Sequence, residues 1–555
     1  MRLIALRNSI LAACIALLFL AACQTDAGTV IAPTPRSAPA LSADTTTPPT
    51  LGAHETRAPS PTAPPTRAPT PTVLTRGGAI TLADVAAPMT DITALPDFVA
   101  NALYDSLLKI NPQDGSLMPG LAERWLVSDD AKTIVFILRQ DVKWHDGKPL
   151  TPDDVVFTLT TLADAKTRLR PAADFGSLQT VTAVDARTVS VTFSEPYCAA
   201  LTYFGAVKIL PKHILENESL ANPPPEKLIG TGPLILQTWQ DDTLVFRANE
   251  AYWQGAPWIT NWTLRLYANE RAARDAARQN QVDVALTQTA LTEMSNAPFT
   301  DNSFYALAFN TQRAPFDDAR VRQAFAMALN RDALAAPRGG PLETSLLSAF
   351  WAQPDKLAQP KFDLARARQL LADAGWRDTD GDGVADKDGA PLLITLWAQA
   401  DGATAEETAQ RVRAQLEPLG AHAVLKLAER TLFLTRVFLQ EYDLALAHFN
   451  IPLDPDQHYF WSSAEDAPGS GLNVTGYRNA RVDAALQAGN RVARCEPPAR
   501  KSAYAPLFQQ IAQDTPMVFL FAPTRVLNAQ PRVKNLAPSS FASAFWNLNA
   551  WQLAP

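Results

Sequence analysis

The sequence predicts a large mixed α/β body of two or three lobes, carried behind an export leader and a proline-rich spacer. Three observations carry that expectation. Residues 77–555 form a stretch of nearly 480 residues, more than a single hydrophobic core ordinarily serves. Along it, short β-branched runs alternate with stretches of helical spacing whose ends carry capping residues. Ahead of it lies a segment too poor in large apolar side chains to pack at all.

The chain opens with Arg2 and Arg7 as a positive n-region and Ile10 to Leu20 as an apolar run. That run has signal-peptide length and is too short for a membrane-spanning helix of about 20 residues. It closes on Leu20-Ala21-Ala22-Cys23, which resembles the lipobox of bacterial lipoproteins. Residues 1–22 are therefore read as a lipoprotein signal peptide and Cys23 as the lipidated first residue of the mature chain. An ordinary secretory signal with a chance cysteine is the other reading. From Cys23 to Arg76 the chain is dominated by Thr, Pro and Ala. Proline fixes φ and removes donors, so this tether is expected to be extended, at about 3 Å per residue where it is stiff. It would hold a body on the order of 100 Å from a membrane.

Charge excludes one large class of partner. The formal net charge is −7, and removing Arg2 and Arg7 with the leader makes it −9. No basic block or basic-aromatic stripe is present, so nucleic acid is not expected. Of four cysteines, Cys14 lies in the leader and Cys23 at the anchor, which leaves Cys198 and Cys495. An exported body permits them to pair. A bond between lobes that move would obstruct the motion, so paired and free states both stand open.

Within the body, Thr133–Leu138 is a β-branched apolar run and reads as a strand. Thr151, Pro152, Asp153 and Asp154 then open a helix as N-cap, N1 and two acids at the positive end of the dipole. Val155, Val156, Leu159 and Leu162 would form its buried face. Asp317 or Asp318 is placed to cap a helix carrying Val321, Phe325, Ala328 and Leu329. Asp363 starts another over 364–371, and Gly375 ends it as a C′ glycine. Val189–Phe193, Leu392–Leu396 and Met517–Phe521 read as strands between them.

Catalytic motifs are missing: there is no Gly-x-Ser-x-Gly elbow, no His-Glu-x-x-His, no phosphate-cradling loop and no Cys-x-x-Cys. His145-Asp146-Gly147 has the residues of a catalytic pair, but neighbours on a turn usually point apart and Asp-Gly is a turn signal. The reading is of a binding protein and not an enzyme. One loop, Asp378 to Gly389, places Asp378, Asp380 and Asp382 at positions 1, 3 and 5 of an EF-hand-like loop, with Gly383 at 6 and Asp386 at 9. Gly389 replaces the bidentate glutamate at position 12. A structural calcium ion is one reading and a plain Gly/Asp turn the other; no further cofactor is implied.

Taken together, a series of segments resembles the peptide/oligopeptide type (family 5) of extracytoplasmic solute-binding proteins of ABC transporters. It begins with Tyr104-Asp105-Ser106-Leu107-Leu108 and Leu121-Ala122-Glu123-Arg124-Trp125. The Thr133–Phe157 block, containing Trp144-His145-Asp146-Gly147-Lys148-Pro149, is similar to the family's signature. Gly230-Thr231-Gly232-Pro233, Tyr252-Trp253-Gln254-Gly255, the 315–325 and 361–376 stretches, Asp454-Pro455-Asp456 and Asn473–Tyr477 follow in family order. The resemblance implies a two-lobe periplasmic-binding-protein clamshell of the cluster C type, with an extra subdomain in the first lobe. Lobe I would take residues 77–303 and a return segment, 516–555, and lobe II residues 304–515. It further implies an extracytoplasmic monomer that closes on a peptide or peptide-like solute and delivers it to the transmembrane subunits of an ABC permease, tied to the membrane by its lipid.

The resemblance also leaves the cargo open. Peptide binders of this type often carry an Asp four residues before the Pro of the Asp-Pro segment, and that position here is Ile451; the tryptophan commonly found upstream is replaced by His448 or Phe449. The stretch from Arg338 to Trp351 is shorter than usual. The candidate cleft residues are His448, Asn450 and Asp454 as polar contacts, with Trp351, Trp397 and Trp461 as apolar walls. A ligand-presenting sensory protein, or a binder of a sugar or metal chelate, is the alternative reading.

Overall fold

The computed structural model describes residues 76–85, 91–164, 177–336, 338–357, 359–400, 403–469 and 471–554. The leader, Cys23 and the tether up to residue 75 lie outside the described residues. Among those described, no helix is long and apolar enough to cross a membrane.

One large sheet takes strands from both ends of the chain. In its first half Ala79–Val85 runs parallel to Asn261–Tyr267 and Val284–Thr287. Asn261–Tyr267 continues antiparallel to Thr243–Ala248, and that strand to Leu234–Gln240. In its second half Ser303–Phe309 lies antiparallel to Leu444–Asn450, which runs parallel to Leu393–Gln399, itself parallel to His422–Ala428. The strand Met517–Ala529 belongs to both halves. Its first residues pair with Ser303–Phe309 and Gly339–Pro341, and its last pair with Val284–Thr287 on one side and Ser295–Thr300 on the other. The chain therefore passes between the halves twice, between Thr300 and Ser303 and along this strand.

Each half has its own core. Phe98, Phe246, Trp262 and Trp551 centre the first, while Phe309, Phe316, Phe325 and Leu444 build one side of the second. A separate four-stranded sheet, Ala122–Val127, Thr133–Leu138, Thr188–Phe193 and Leu178–Ala183 in spatial order, packs its own core of Phe136, Leu159, Val191 and Phe204. This is the extra subdomain of a two-lobe fold.

The local signals in the sequence act as short-range chemistry says they should. Asp154 Oδ2 accepts hydrogen bonds from the Thr151 amide and hydroxyl, both at 2.9 Å, at the head of the Pro152–Ala163 helix. Asp318 caps Ala319–Ala328 and Asp363 caps Leu364–Asp373, each accepting from a backbone amide of the first turn. Gly375 follows that second helix at φ +95°, a backbone state that costs glycine nothing. The Met517–Phe521 run proves to be only the first part of a 13-residue strand. Its continuation through Pro523, Thr524 and Arg525 carries no apolar alternation because the strand changes neighbours there. Cys198 and Cys495 form a disulfide with an S–S distance of 2.07 Å. It joins the subdomain to the segment leading into the Pro497–Asp514 helix.

A candidate ligand site between the subdomain and the second lobe

The Ala200–Ala206 helix follows the disulfide and presents one face to the second lobe. Ala199 N donates to Asn490 Oδ1 at 3.1 Å, and Thr202 Oγ1 to Asp454 Oδ2 at 2.7 Å. Asp454 is also gripped by Arg500, with Nη1 to Oδ2 at 2.9 Å and Nη2 to Oδ1 at 2.6 Å. The Asp456 amide adds a bond to Oδ1 at 2.9 Å. Both side chains of the ion pair are nearly sealed from solvent, at 4% exposure for Arg500 and 8% for Asp454. A two-pronged guanidinium–carboxylate pair is among the strongest of charge-assisted contacts, and its buried charges balance.

Around this junction lies a cavity of about 630 Å³, within the range of small-molecule sites. Its walls are largely aromatic, with Tyr203 from the subdomain facing Tyr305, Phe433, Phe449, Tyr459 and Phe460 of the second lobe. His448 stacks on Tyr305 with centroids 4.6 Å apart, and Tyr305 stacks in turn on Phe521 at 5.1 Å. The imidazole Nε2 lies 2.8 Å from Ser303 Oγ. Burial holds the His448 proton affinity below its ordinary value, so the ring is neutral near pH 7. Asp456 accepts from Asn490 Nδ2 at 2.6 Å and from the His458 amide at 3.1 Å. Burial, and then the charge of Asp454, push its carboxyl above the usual range.

The sequence-derived candidates divide cleanly. His448, Asn450 and Asp454 all line the cavity, but Asp454 is already saturated by Arg500 and Thr202 and offers no unpaired charge. None of the three tryptophans is among its lining residues. Trp461 is 1% exposed and gives its indole N–H to Gln457 Oε1 at 2.9 Å, so it is core. Trp397 packs against the second lobe's core with the Arg436 guanidinium 5.7 Å above its ring. Trp351 borders a different cavity of about 390 Å³, beside Arg500. The apolar wall is tyrosine and phenylalanine; of the three tryptophans, Trp461 anchors the core and the other two pack at its edge. Ile451 is also core, 6% exposed, with its amide bonded to Asn302 O. Thr202, Tyr203 and Arg500 were not among the candidates. Nothing local in their sequence marks them, since their partners lie hundreds of residues away or, for Arg500, 46 positions away.

Two further sequence features resolve locally. His145 and Asp146 point apart: Nδ1 of His145 accepts from the Gly230 amide at 3.1 Å, while Asp146 Oδ2 meets His213 Nε2 at 2.8 Å. In the acidic loop, side-chain oxygens of Asp378, Asp380 and Asp382 lie within 4.8 Å of one another and are exposed. Each is engaged by its own loop: Asp378 takes the Gly381 and Gly383 amides, Asp380 that of Asp382, and Asp382 that of Val384. Asp386 instead accepts from Thr379 and opens a two-residue strand, so no second helix follows. Calcium takes six to eight oxygens, and the loop gathers three carboxylates.

The family profile described as bacterial extracellular solute-binding proteins, family 5 Middle, matches residues 116–471. The oligopeptide-binding protein AppA of Bacillus subtilis (strain 168) is 27% identical over 484 residues, covering 82% of this chain and 87% of its own. The dipeptide-binding protein of Escherichia coli (strain K12) is 30% identical over 312 residues, 49% of this chain and 58% of its own. Among solved structures, B. subtilis AppA in complex with a nonapeptide matches with a TM-score of 0.69 at 23% identity, covering 87% of this chain and 100% of that one. NikA from Brucella suis in complex with Fe(III)-EDTA matches with a TM-score of 0.74 at 20% identity, covering 86% and 100%. At such identities the structural matches speak to the fold.

Proposed function

Because the chain belongs to the bacterial extracellular solute-binding proteins of family 5, the extracytoplasmic substrate binders of ABC transporters, we propose that it captures a short peptide or peptide-sized solute in the 630 Å³ cavity. The observation that carries this reading is the cavity itself, walled by aromatic rings and closed by the Thr202–Asp454–Arg500 junction. A sphere of that volume is about 11 Å across, and an extended chain advances about 3.3–3.6 Å per residue, so two or three residues fill it. The Cys198–Cys495 bond ties the subdomain to the second lobe, so closure on a ligand that touches both walls is a motion within that constraint, and only differential contact with the closed state shifts its equilibrium. Residues 77–303 and 516–555 are assigned to the first lobe and 304–515 to the second. Lipidation at Cys23 and the 23–76 tether would keep a monomeric body near its permease. Replacing Cys23 with Ser is expected to release the protein from the membrane fraction.

The test of the cargo is calorimetric titration of the purified protein with a dipeptide, a tripeptide and a nonapeptide of similar apolar content. The two short peptides are expected to bind and the nonapeptide not to. Equal binding of all three, or of none, would overturn the assignment. Native mass spectrometry of the protein taken gently from cells would then reveal a discrete non-peptide cargo directly.

A further inference from the structure

A second cavity, of about 650 Å³, lies in the first lobe on the side of Gly205, and its chemistry differs from that of the aromatic one. Lys109, Arg139 and Lys208 reach it, with Asp105 as the carboxylate among its lining residues. Asp105 is already committed. Its Oδ1 takes Tyr252 Oη at 3.1 Å and sits 3.3 Å from Lys109 Nζ, and its Oδ2 takes Trp253 Nε1 at 2.9 Å and Thr231 Oγ1 at 3.1 Å. Lys109 is therefore neutralised. Arg139 bonds the Gly120 carbonyl and lies 4.6 Å above the Trp253 ring, and Lys208 donates to Asn101 Oδ1 at 3.2 Å. Neither of these two cations has an ion-pair partner among the described residues. Desolvation disfavours the charge on Lys208, and Asp105 and Asp97 nearby offset this only in part, since the net shift is downward.

Two buried hydroxyls supply an independent pointer. Tyr104 and Ser106, 1% and 3% exposed, both line this cavity, and among the described residues neither hydroxyl has a hydrogen-bond partner. Buried polar groups are ordinarily satisfied, and leaving one unmade is costly. Unpaired cations beside orphaned donors form a set that wants acceptor oxygens carrying negative charge. The remaining wall includes Ile110, Met118 and Trp546, and the volume exceeds what an inorganic ion needs.

We propose that this cavity binds a small organic anion, with its oxygens held by Lys208, Arg139 and the Tyr104 and Ser106 hydroxyls and its carbon body against Ile110, Met118 and Trp546. The site stands apart from the peptide reading of the aromatic cavity and does not depend on it. The test is calorimetric titration of the purified protein at fixed salt with succinate, benzoate and phenyl phosphate, and with succinamide as the neutral control. At least one anion is expected to bind and succinamide not to. Preference for succinate or benzoate identifies a carboxylate, and preference for phenyl phosphate identifies a phosphate ester. Lys208→Met and Tyr104→Phe are each expected to weaken binding about tenfold or more. Tyr104→Phe should leave the ligand-free melting temperature unchanged or raised, because the deleted hydroxyl has no partner to lose. The proposal is overturned if no anion binds, if both variants bind as tightly as the parent, or if His448→Ala in the aromatic cavity abolishes the same binding.

Discussion

Replacing both Cys198 and Cys495 with Ala tests the covalent link between the subdomain and the second lobe. The bond closes a loop with a sequence separation of 297. Chain-entropy reasoning for a loop of that length gives a ceiling of about 6 kcal/mol, while measured losses on removing native disulfides run at about 2–5 kcal/mol. The two cysteines are 0% and 3% exposed, so alanine leaves small voids and no unpaired hydroxyls. A loss of about 2–5 kcal/mol is expected, read as the shift of the urea midpoint with unchanged slope. A second readout is conformational. Without the bond, the subdomain is held to the second lobe by contacts such as Ala199 to Asn490 and Thr202 to Asp454, and by the exposed Arg494–Asp129 pair. The ligand-free double variant should therefore sample open states more, raising the radius of gyration in solution scattering. Alkylation of Cys198 and Cys495 themselves in the denatured, unreduced parent protein, or a midpoint that does not move, would refute the reasoning.

Three other perturbations follow from single sites. Gly489→Ala drives a Cβ into the ring of buried Tyr504, and overpacking of this kind costs about 1–3 kcal/mol; Gly340→Ala, with open space around it, is the control that should leave the melting temperature in place. Arg500→Met strands the Asp454 carboxylate, with an expected loss of about 3–5 kcal/mol, and adding Asp454→Leu should recover much of it; a double variant as unstable as the single one would sink the ion-pair account. His145 is lowered by burial to about 4 from an ordinary 6.5, so its neutral ring favours the fold fully above pH 6.5, and stability falls as pH drops towards 4 because the unfolded chain takes the proton first. The effect is on the order of 3 kcal/mol, and the gap in melting temperature between parent and His145→Gln should narrow from pH 7 to pH 4.5; a constant gap would rule it out.

How far the sequence could be read depended on the range of each interaction. Thr151 with Asp154, Asp318 and Asp363 all serve amides within three residues, so Thr151 and Asp363 were legible as caps and Asp318 as one of two neighbouring candidates. The ordered motif series gave the two-lobe architecture, since it spans nearly the whole body. The shared strand was read only to Phe521. Its second part places Asn528, 0% exposed, against Thr287 Oγ1 and the Leu291 amide, and a buried asparagine looks like a loop residue until its partners, more than 230 positions earlier, are known. The tryptophans show the same gap: size and apolar character say that a side chain will be buried, not which of two surfaces will bury it.

Asp454 carries the sharpest lesson about the site, because the structure sets it in the cavity wall with its charge already paired to Arg500. A carboxylate in a Asp-Pro-Asp segment beside a cleft suggests a partner for a ligand's ammonium. Arg500 arrives from a helix 46 residues on and takes both oxygens, and Thr202 arrives from the other side of the cavity. The charge of Asp454 is spent on joining two parts of the protein. Beside the polar groups of His448 and Asn450, a ligand meets Tyr203, Tyr305, Phe433, Phe449 and Phe460, and apolar contact contributes about 25 cal/mol per Å² removed from water. Affinity across a series of dipeptides should therefore rise with side-chain apolar area at constant charge. N-acetylation, which deletes the ammonium, should cost little; a loss of a hundredfold or more, about 2.7 kcal/mol, would mean that a carboxylate such as Asp456 meets the ligand after all.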